Sequence, residues 1–99
     1  RVITSIRERI DLPWRVPHMA QIAGVSSTSL ERLARGTLGL PPQQLLQRLR
    51  LEHAVFLITQ TSKSLGEIAI ECGFYDQSSF TRQFRKVLGL TPGAYRRAG

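Results

Sequence analysis

Apolar residues recur at spacings of three and four residues along most of the chain, and the strict alternation typical of strands is missing. In the first segment, for example, Val2, Ile6 and Ile10 fall on one helical face. Glycine, proline and capping residues interrupt the pattern and predict helices at about residues 2–10, 17–24, 27–35, 43–60, 64–73 and 77–87, and from Pro92 onward. The sequence therefore predicts an all-α fold of about seven helices.

The chain contains an internal repeat. Its first part pairs residues 49 positions apart: Val16 with Leu65, Met19 with Ile68, Ala20 with Ala69, Gly24 with Gly73, and Val25 with Phe74. After one inserted residue near Tyr75 the spacing becomes 50: Leu30 pairs with Phe80, Arg32 with Arg82, Ala34 with Phe84, Arg35 with Arg85, Leu38 with Leu88, Gly39 with Gly89, Leu40 with Leu90, and Pro42 with Pro92. Both copies predict a short helix, a tight turn that contains a glycine, and a second helix, which together form a helix-turn-helix.

The repeat divides this 99-residue domain into three segments. Residues 1–40 contain the first helix-turn-helix, residues 41–60 form a linker helix, and residues 61–99 contain the second helix-turn-helix. At 1.5 Å per residue, the helix over residues 43–60 is about 27 Å long. Such a rod would separate the second helix of one copy from the second helix of the other by close to one turn of DNA, which is about 34 Å. One chain would then read two adjacent major-groove segments.

Local signals predict where the helices begin. Ser26 and Asp76 occupy equivalent positions and are expected to accept hydrogen bonds from the exposed N–H groups of the second helix of each copy. Ser64 followed by Glu67 is a capping box. Arg15 stands where the other copy has Ser64, so the first copy is expected to lack this cap.

Charge indicates an acidic partner. The 14 Lys and Arg residues exceed the 7 Asp and Glu residues, which gives a net charge of +7, and twelve of the basic residues are Arg. The excess lies in residues 1–40 and 76–99, while residues 41–75 are balanced. Arginine forms planar, bidentate contacts with phosphate and guanine. Two basic segments with a neutral spacer therefore favour a nucleic acid as the partner.

The outward positions of the second helix in each copy are the candidate DNA-binding residues, because residues near its N-terminus contact base edges in a DNA-binding helix-turn-helix. In the first copy these are Ser27, Thr28, Glu31, Arg32 and Arg35; in the second they are Gln77, Ser78, Thr81, Arg82 and Arg85. Gln pairs with adenine, Arg with guanine, and Glu with the cytosine amine. For each polar residue, an ordinary solvated helix face is the alternative interpretation.

The second copy also carries a pattern that resembles the AraC/XylS family of bacterial transcription regulators. The residues are Ile68, Ala69, Gly73, Phe74, Gln77, Ser78, Phe80, Phe84, Gly89, Pro92, Tyr95 and Arg96. The resemblance extends to the first half of the chain through the repeat register and through Arg48, Arg50 and Ala54. It implies a C-terminal domain of seven helices that binds double-stranded DNA through two helix-turn-helix units.

The same resemblance implies partners and site residues. Such proteins often carry an N-terminal effector or oligomerisation domain, and they usually activate transcription by contacting RNA polymerase, although some repress. A first residue of Arg1 rather than Met also suggests a piece of a longer protein. The family reads bases at the positions of Thr28, Glu31 and Arg32 in the first unit and Gln77, Ser78, Thr81 and Arg82 in the second.

The first copy departs from the family pattern at several positions. Ala34 lies where the family often has an aromatic residue, and Leu45 lies where tyrosine is usual, so the first copy is expected to pack less tightly. Glu31 is negatively charged, which opposes phosphate unless a cytosine amine accepts it.

Other chemistry is not indicated. The apolar runs are far shorter than the roughly 20 residues of a membrane-spanning helix. His18 and His53 have no carboxylate cluster at metal-ligand spacing, and neither a cofactor nor an enzyme activity is expected. His18 is expected to contact phosphate or to be solvated, and His53 to lie on the linker helix. The single cysteine, Cys72, is expected to be a small buried residue and suits a reducing cytoplasm.

Two alternatives to DNA reading by both copies stay open. One is a helical protein-interaction module, which should expose Leu, Phe or Met in a groove rather than the small and polar residues at Gln77, Ser78 and Thr81. The other is DNA binding by the second copy alone, with the first contacting a protein partner. A footprint confined to one major-groove segment would favour the latter.

Overall fold

The computed structural model describes residues 2–99, and over these residues the chain forms seven α-helices and no strand. The helices are α1 (Val2–Glu8), α2 (Val16–Ala23), α3 (Ser27–Leu38), α4 (Pro42–Gln60), α5 (Leu65–Glu71), α6 (Gln77–Leu88) and α7 (Pro92–Ala98). The predicted all-α fold of seven helices is therefore confirmed. Helices α1 and α5 end earlier than predicted, whereas α3 continues beyond Arg35 to Leu38.

The chain divides into two compact units, the first unit (Arg1–Leu49) and the second unit (Arg50–Gly99). The boundary lies within the long helix α4, so the first part of this helix belongs to the first unit and the rest to the second. Each unit has four helical segments in the same order. The first unit has α1, α2, α3 and the start of α4; the second has the end of α4, α5, α6 and α7. The repeat in the sequence is thus a repeat of a whole four-helix unit.

A series of aromatic rings forms the core of the second unit. Phe74 lies 5.1 Å from Phe80 between ring centroids, and Phe80 lies 5.6 Å from Phe84 at an interplanar angle of 73°. The ring of Tyr95 on α7 meets Phe84 edge-to-face at 5.6 Å and 85°. Edge-to-face pairs add about 0.5–1.5 kcal/mol each beyond the burial of their area. These four residues, the aromatic series, join α6 to α7 and to the turn before α6.

The first unit has no such series at the equivalent positions. Its core consists of Ile6, Ile10, Trp14, Met19, Leu46 and Leu49. The repeat register places Val25, Leu30, Ala34 and Leu45 where the second unit has Phe74, Phe80, Phe84 and Tyr95. An apolar groove of about 300 Å³ opens at three of these positions, Leu30, Ala34 and Leu45. The groove lies at Ala34 and Leu45, where looser packing of the first copy is expected from the sequence.

The early end of α1 follows from the residues after Glu8. The Arg9 carbonyl accepts hydrogen bonds from the Leu12 N–H at 3.1 Å and from Trp14 Nε1 at 2.9 Å. These bonds turn the chain into a tight loop that a continuing helix could not make. Trp14 is buried in the core, and the one polar atom of its side chain is satisfied by its bond to the Arg9 carbonyl.

Helix α5 begins with the predicted capping box. The Ser64 hydroxyl accepts from the Glu67 N–H at 3.1 Å, and Glu67 Oε1 accepts from the Ser64 N–H at 3.1 Å. The backbone bond from Ser64, followed by the Ser64 hydroxyl, holds the pKa of Glu67 below its ordinary value of 4.5. The ionised carboxylate therefore stabilises the folded second unit above that pH, and this contribution is lost as the pH falls through the lowered folded pKa.

Glu67→Gln is expected to remove this part of the pH dependence. Glutamine keeps a carbonyl oxygen at the capping position but does not titrate, so its hydrogen bond to the Ser64 N–H persists in acid. Urea unfolding at pH 7 and at a series of pH values below 4.5 should show a shallower loss of stability in the variant than in the parent chain. Identical pH profiles would mean that the cap does not couple to the ionisation of Glu67.

Candidate nucleic-acid interface

The turn between the two helices of each helix-turn-helix starts in the same way in both units. The Val25 N–H donates to the Ala20 carbonyl at 3.0 Å, and the Phe74 N–H donates to the Ala69 carbonyl at 2.9 Å. The residue before each donor is a glycine in the left-handed region, Gly24 at φ 74° and Gly73 at φ 90°. This hydrogen bond and the positive φ define a Schellman turn, and a residue with a side chain would be strained at the glycine position. The two glycines of the repeat therefore set the direction of α3 and α6.

The predicted caps of α3 and α6 are confirmed. Ser26 Oγ accepts from the Ser29 N–H at 3.1 Å, and Asp76 Oδ1 accepts from the Ser79 N–H at 2.7 Å. Each cap satisfies one of the backbone donors that a helix leaves free at its start. The helices consequently begin at Ser27 and Gln77, and the candidate residues follow from the first turn of each helix to Arg35 and Arg85.

The candidate residues share the outward face of each helix. In α3, Thr28, Glu31, Arg32 and Arg35 are exposed and Ser27 is half-buried; in α6, Gln77, Ser78, Arg82 and Arg85 are exposed and Thr81 is half-buried. The opposite faces carry buried residues, Ala34 in α3 and Phe80 and Phe84 in α6. Within each unit, the fold brings the five predicted residues together on one accessible surface.

Arg32 and Arg82 are equivalent in the repeat, and both side chains are exposed. Over residues 2–99, neither guanidinium donates a hydrogen bond to the protein or forms an ion pair. Each keeps its planar set of donors available for a bidentate acceptor. No neighbour has to be displaced before these side chains engage a ligand.

Gln77 has a neighbour that sequence reasoning missed. A Cβ atom at Gly66 would lie 3.3 Å from Gln77 Oε1, so the amide lies against the first turn of α5. Glycine at position 66 leaves room for this approach. The only signal in the sequence is a glycine at the second position of a predicted helix, where most residues are tolerated.

Arg96 is a basic residue whose side chain forms hydrogen bonds within the second unit. Its guanidinium donates to the carbonyls of Ile58 at 3.3 Å, Thr61 at 3.3 Å and Lys63 at 2.7 Å. These acceptors lie at the end of α4 and in the loop after it, where a helix has carbonyls without intrahelical partners. Net charge counts Arg96 with the other arginines, although three of its five N–H donors are bound to backbone carbonyls.

The sequence comparison places these two units in a known family. A sequence model described as a helix-turn-helix domain matches residues 19–98. The chain belongs to the AraC-type helix-turn-helix family of transcription regulators. The resemblance seen in residues 65–96 is thus confirmed, and the family is one of DNA-binding regulators rather than of enzymes.

Three relatives illustrate the range of similarity. This AraC-type domain is 27% identical to the transcriptional activator RhaR of Klebsiella pneumoniae over 97% of the chain and 34% of that protein. An AraC-type regulator structure from Chromobacterium violaceum has a TM-score of 0.92 and 33% identity, covering 97% of this chain and 86% of that one. The DNA-binding domain of AdpA, described as in complex with a target DNA, has a TM-score of 0.90 and 31% identity, covering 98% and 87%. The chain spans about a third of the length of the curated relatives it matches.

The remaining candidate groups of this AraC-type domain lie outside the outward faces of α3 and α6. His18 is exposed and stacks on Trp14, with ring centroids 4.8 Å apart at 17°, and His53 lies on α4 near Phe56, as expected of a linker-helix residue. Cys72 is buried, and burial raises the pKa of its thiol to about 12, so it is an apolar core residue at neutral pH.

Among residues 2–99, no three His, Cys, Asp or Glu side chains are grouped so that they could ligate a metal ion. Of the helices formed by these residues, none has the length and apolarity that crossing a bilayer requires.

Proposed function

We propose that this AraC-type domain recognises a specific double-stranded DNA site by placing α3 and α6 in adjacent major-groove segments. The observation that carries the proposal is the pair of equivalent outward faces, each with a free and exposed arginine at the same position, Arg32 and Arg82. The AdpA domain, described as bound to a target DNA, shares the fold and supports the same use here.

The residues of the two faces then divide by chemistry. Arg32 and Arg82 pair with guanine, Gln77 with adenine, and Glu31 with a cytosine amine. The other six contribute hydroxyl groups or positive charge to bases and phosphates: Ser27, Thr28, Arg35, Ser78, Thr81 and Arg85. Base contacts specify the site, whereas phosphate contacts position the domain on it.

The complete protein is proposed to be a cytoplasmic bacterial regulator with additional partners. The curated relatives are about three times as long as this chain, which supports an N-terminal effector or oligomerisation domain. Activation of transcription is proposed by analogy with RhaR, which is described as an activator. Contact with RNA polymerase is the step through which we propose that activation occurs.

Arg82→Ala is expected to weaken binding to the cognate duplex by about 1–3 kcal/mol, or about 5- to 150-fold, and to relax preference at one base pair. The cognate duplex comes from selection in a random pool followed by sequencing, and affinity is then measured by fluorescence anisotropy at about 150 mM salt. Arg97→Ala is the matched control, because it removes the same charge from an exposed residue outside α6. Equal affinity of the parent domain for cognate and scrambled duplexes would remove base reading from the proposal.

A second version of this function is favoured by one observation, the exposed carboxylate of Glu31 on the outward face of α3. A negative charge on that face opposes phosphate, so α6 would read DNA alone while α3 meets a protein partner. Arg32→Ala separates the versions. It weakens DNA binding as Arg82→Ala does if both helices read bases, and it leaves binding close to that of the parent domain if only α6 does.

A further inference from the structure

The first unit contains an apolar groove between α1, α3 and the start of α4, with a volume of about 300 Å³. Its walls include the aliphatic side chains of Ile3, Leu30, Leu33, Ala34, Leu38 and Leu45, to which Thr37 adds one hydroxyl. Leu33 and Leu38 at its edge are 55% and 47% exposed. Among the residues that the structure describes, no charged side chain lines this groove.

The second unit shows what fills the equivalent space. The repeat pairs Ala34 with Phe84 and Leu45 with Tyr95, and the rings of Phe84 and Tyr95 meet edge-to-face at 5.6 Å. Leu30 likewise replaces the fully buried ring of Phe80. At the equivalent positions of the repeat, the first unit therefore lacks the rings that fill this part of the second unit.

We propose that this groove binds a small uncharged molecule with one aromatic ring or two fused rings. A volume of about 300 Å³ is at the lower end of the range for small-molecule sites, which are lined mainly by apolar side chains as this groove is. The ligand is uncharged because the lining offers no partner for a charge, whose desolvation would then be uncompensated. The ring takes the place that Phe84 occupies in the second unit.

The site does not depend on the proposed DNA function. The groove residues Leu30, Ala34 and Thr37 lie on a different face of α3 from the outward residues Thr28 and Arg32, because helical spacing separates the two sets. A bound ring therefore leaves Thr28 and Arg32 open. Loss of DNA binding would not remove ring binding, and the two can be tested apart.

Indole is the probe for the test, added to the ¹⁵N-labelled chain and followed by two-dimensional NMR. Saturable shift changes are expected at the amides of Leu30, Leu33 and Leu38, with a dissociation constant of about 1 mM or lower. Indole-3-carboxylate, which has the same rings and a negative charge, is expected to bind at least about tenfold more weakly, because its charge loses hydration in the groove.

Two variants locate the site. Ala34→Phe places in the groove the ring that the second unit has at this position, and it is expected to abolish the indole response. Leu38→Ala removes one wall at an exposed edge where the fold tolerates change, and it is expected to weaken binding severalfold. Leu88→Ala, at the equivalent position of the second unit, is the matched control and is expected to leave indole binding unchanged.

Three results would overturn the proposal. The first is no saturable response up to the solubility limit of indole. The second is a response that persists unchanged in both Ala34→Phe and Leu38→Ala, which would place the ligand elsewhere. The third is a concentration-dependent shift of the same amides without indole, which would make a second copy of the chain the occupant of the groove.

Discussion

Phe84→Ala is expected to lower the free energy of unfolding of the second unit by about 3–5 kcal/mol. Phe84 is fully buried and contacts the rings of Phe80 on α6 and Tyr95 on α7. The variant loses the transfer free energy of the ring and also leaves a cavity, because the surrounding backbone relaxes only in part. A domain of this size has about 5–15 kcal/mol of total stability, so the second unit would be close to unfolding.

Urea unfolding followed by circular dichroism measures this effect at neutral pH. Val87→Ala is the control on the same helix, since its side chain is 42% exposed and its removal is expected to change stability by about 0.5 kcal/mol or less. If Phe84→Ala lowers the free energy of unfolding by less than about 1 kcal/mol, the second unit repacks and fills the cavity that the ring leaves. Alanine is the native residue at the equivalent position 34, where the first unit keeps an open groove.

Much of the fold could be predicted because its signals are local. The caps at Ser26 and Asp76 act over three residues, and the turns at Gly24 and Gly73 close over five. Such contacts depend on residue types a few positions apart, which a sequence displays directly. The repeat added non-local information, since each copy constrains the interpretation of the other.

The candidate faces could be predicted for the same reason. Outward and inward positions on α3 and α6 follow from helical periodicity once the helix start is known, so Arg32 and Arg82 were expected on the accessible side. Which bases they contact depends on the DNA and stays a prediction.

The contacts of Arg96 and Gln77 could not be predicted, because they join residues that are distant in sequence. Arg96 reaches the carbonyl of Ile58 across 38 positions, and Gln77 meets Gly66 from another helix. Periodicity assigns each of these residues to a surface but does not identify a partner. Every residue carries a backbone carbonyl, so the sequence does not indicate which carbonyls accept these hydrogen bonds.

Arg96→Ala is expected to lower the stability of the second unit by about 2–4 kcal/mol, because hydrogen bonds from a charged donor contribute about 1.5–3 kcal/mol each and two of the three are long. The substitution leaves the carbonyls of Ile58, Thr61 and Lys63 without the donor that now joins α7 to the end of α4. Arg96→Lys is expected to recover less than half of the loss, since a single ammonium group cannot reproduce the planar geometry that reaches three acceptors.

Arg97→Ala is the matched control, because it removes the same charge one residue away from an exposed side chain. Its expected effect on stability is within about 0.5 kcal/mol. The two variants have equal net charge, so their difference in urea unfolding measures the hydrogen bonds of Arg96 and excludes the general electrostatic effect of losing an arginine. If both variants unfold at the same urea concentration, the three carbonyl bonds contribute nothing to stability. In that case Arg96 belongs with the cations available to DNA, and its alanine variant should weaken DNA binding as a phosphate contact does.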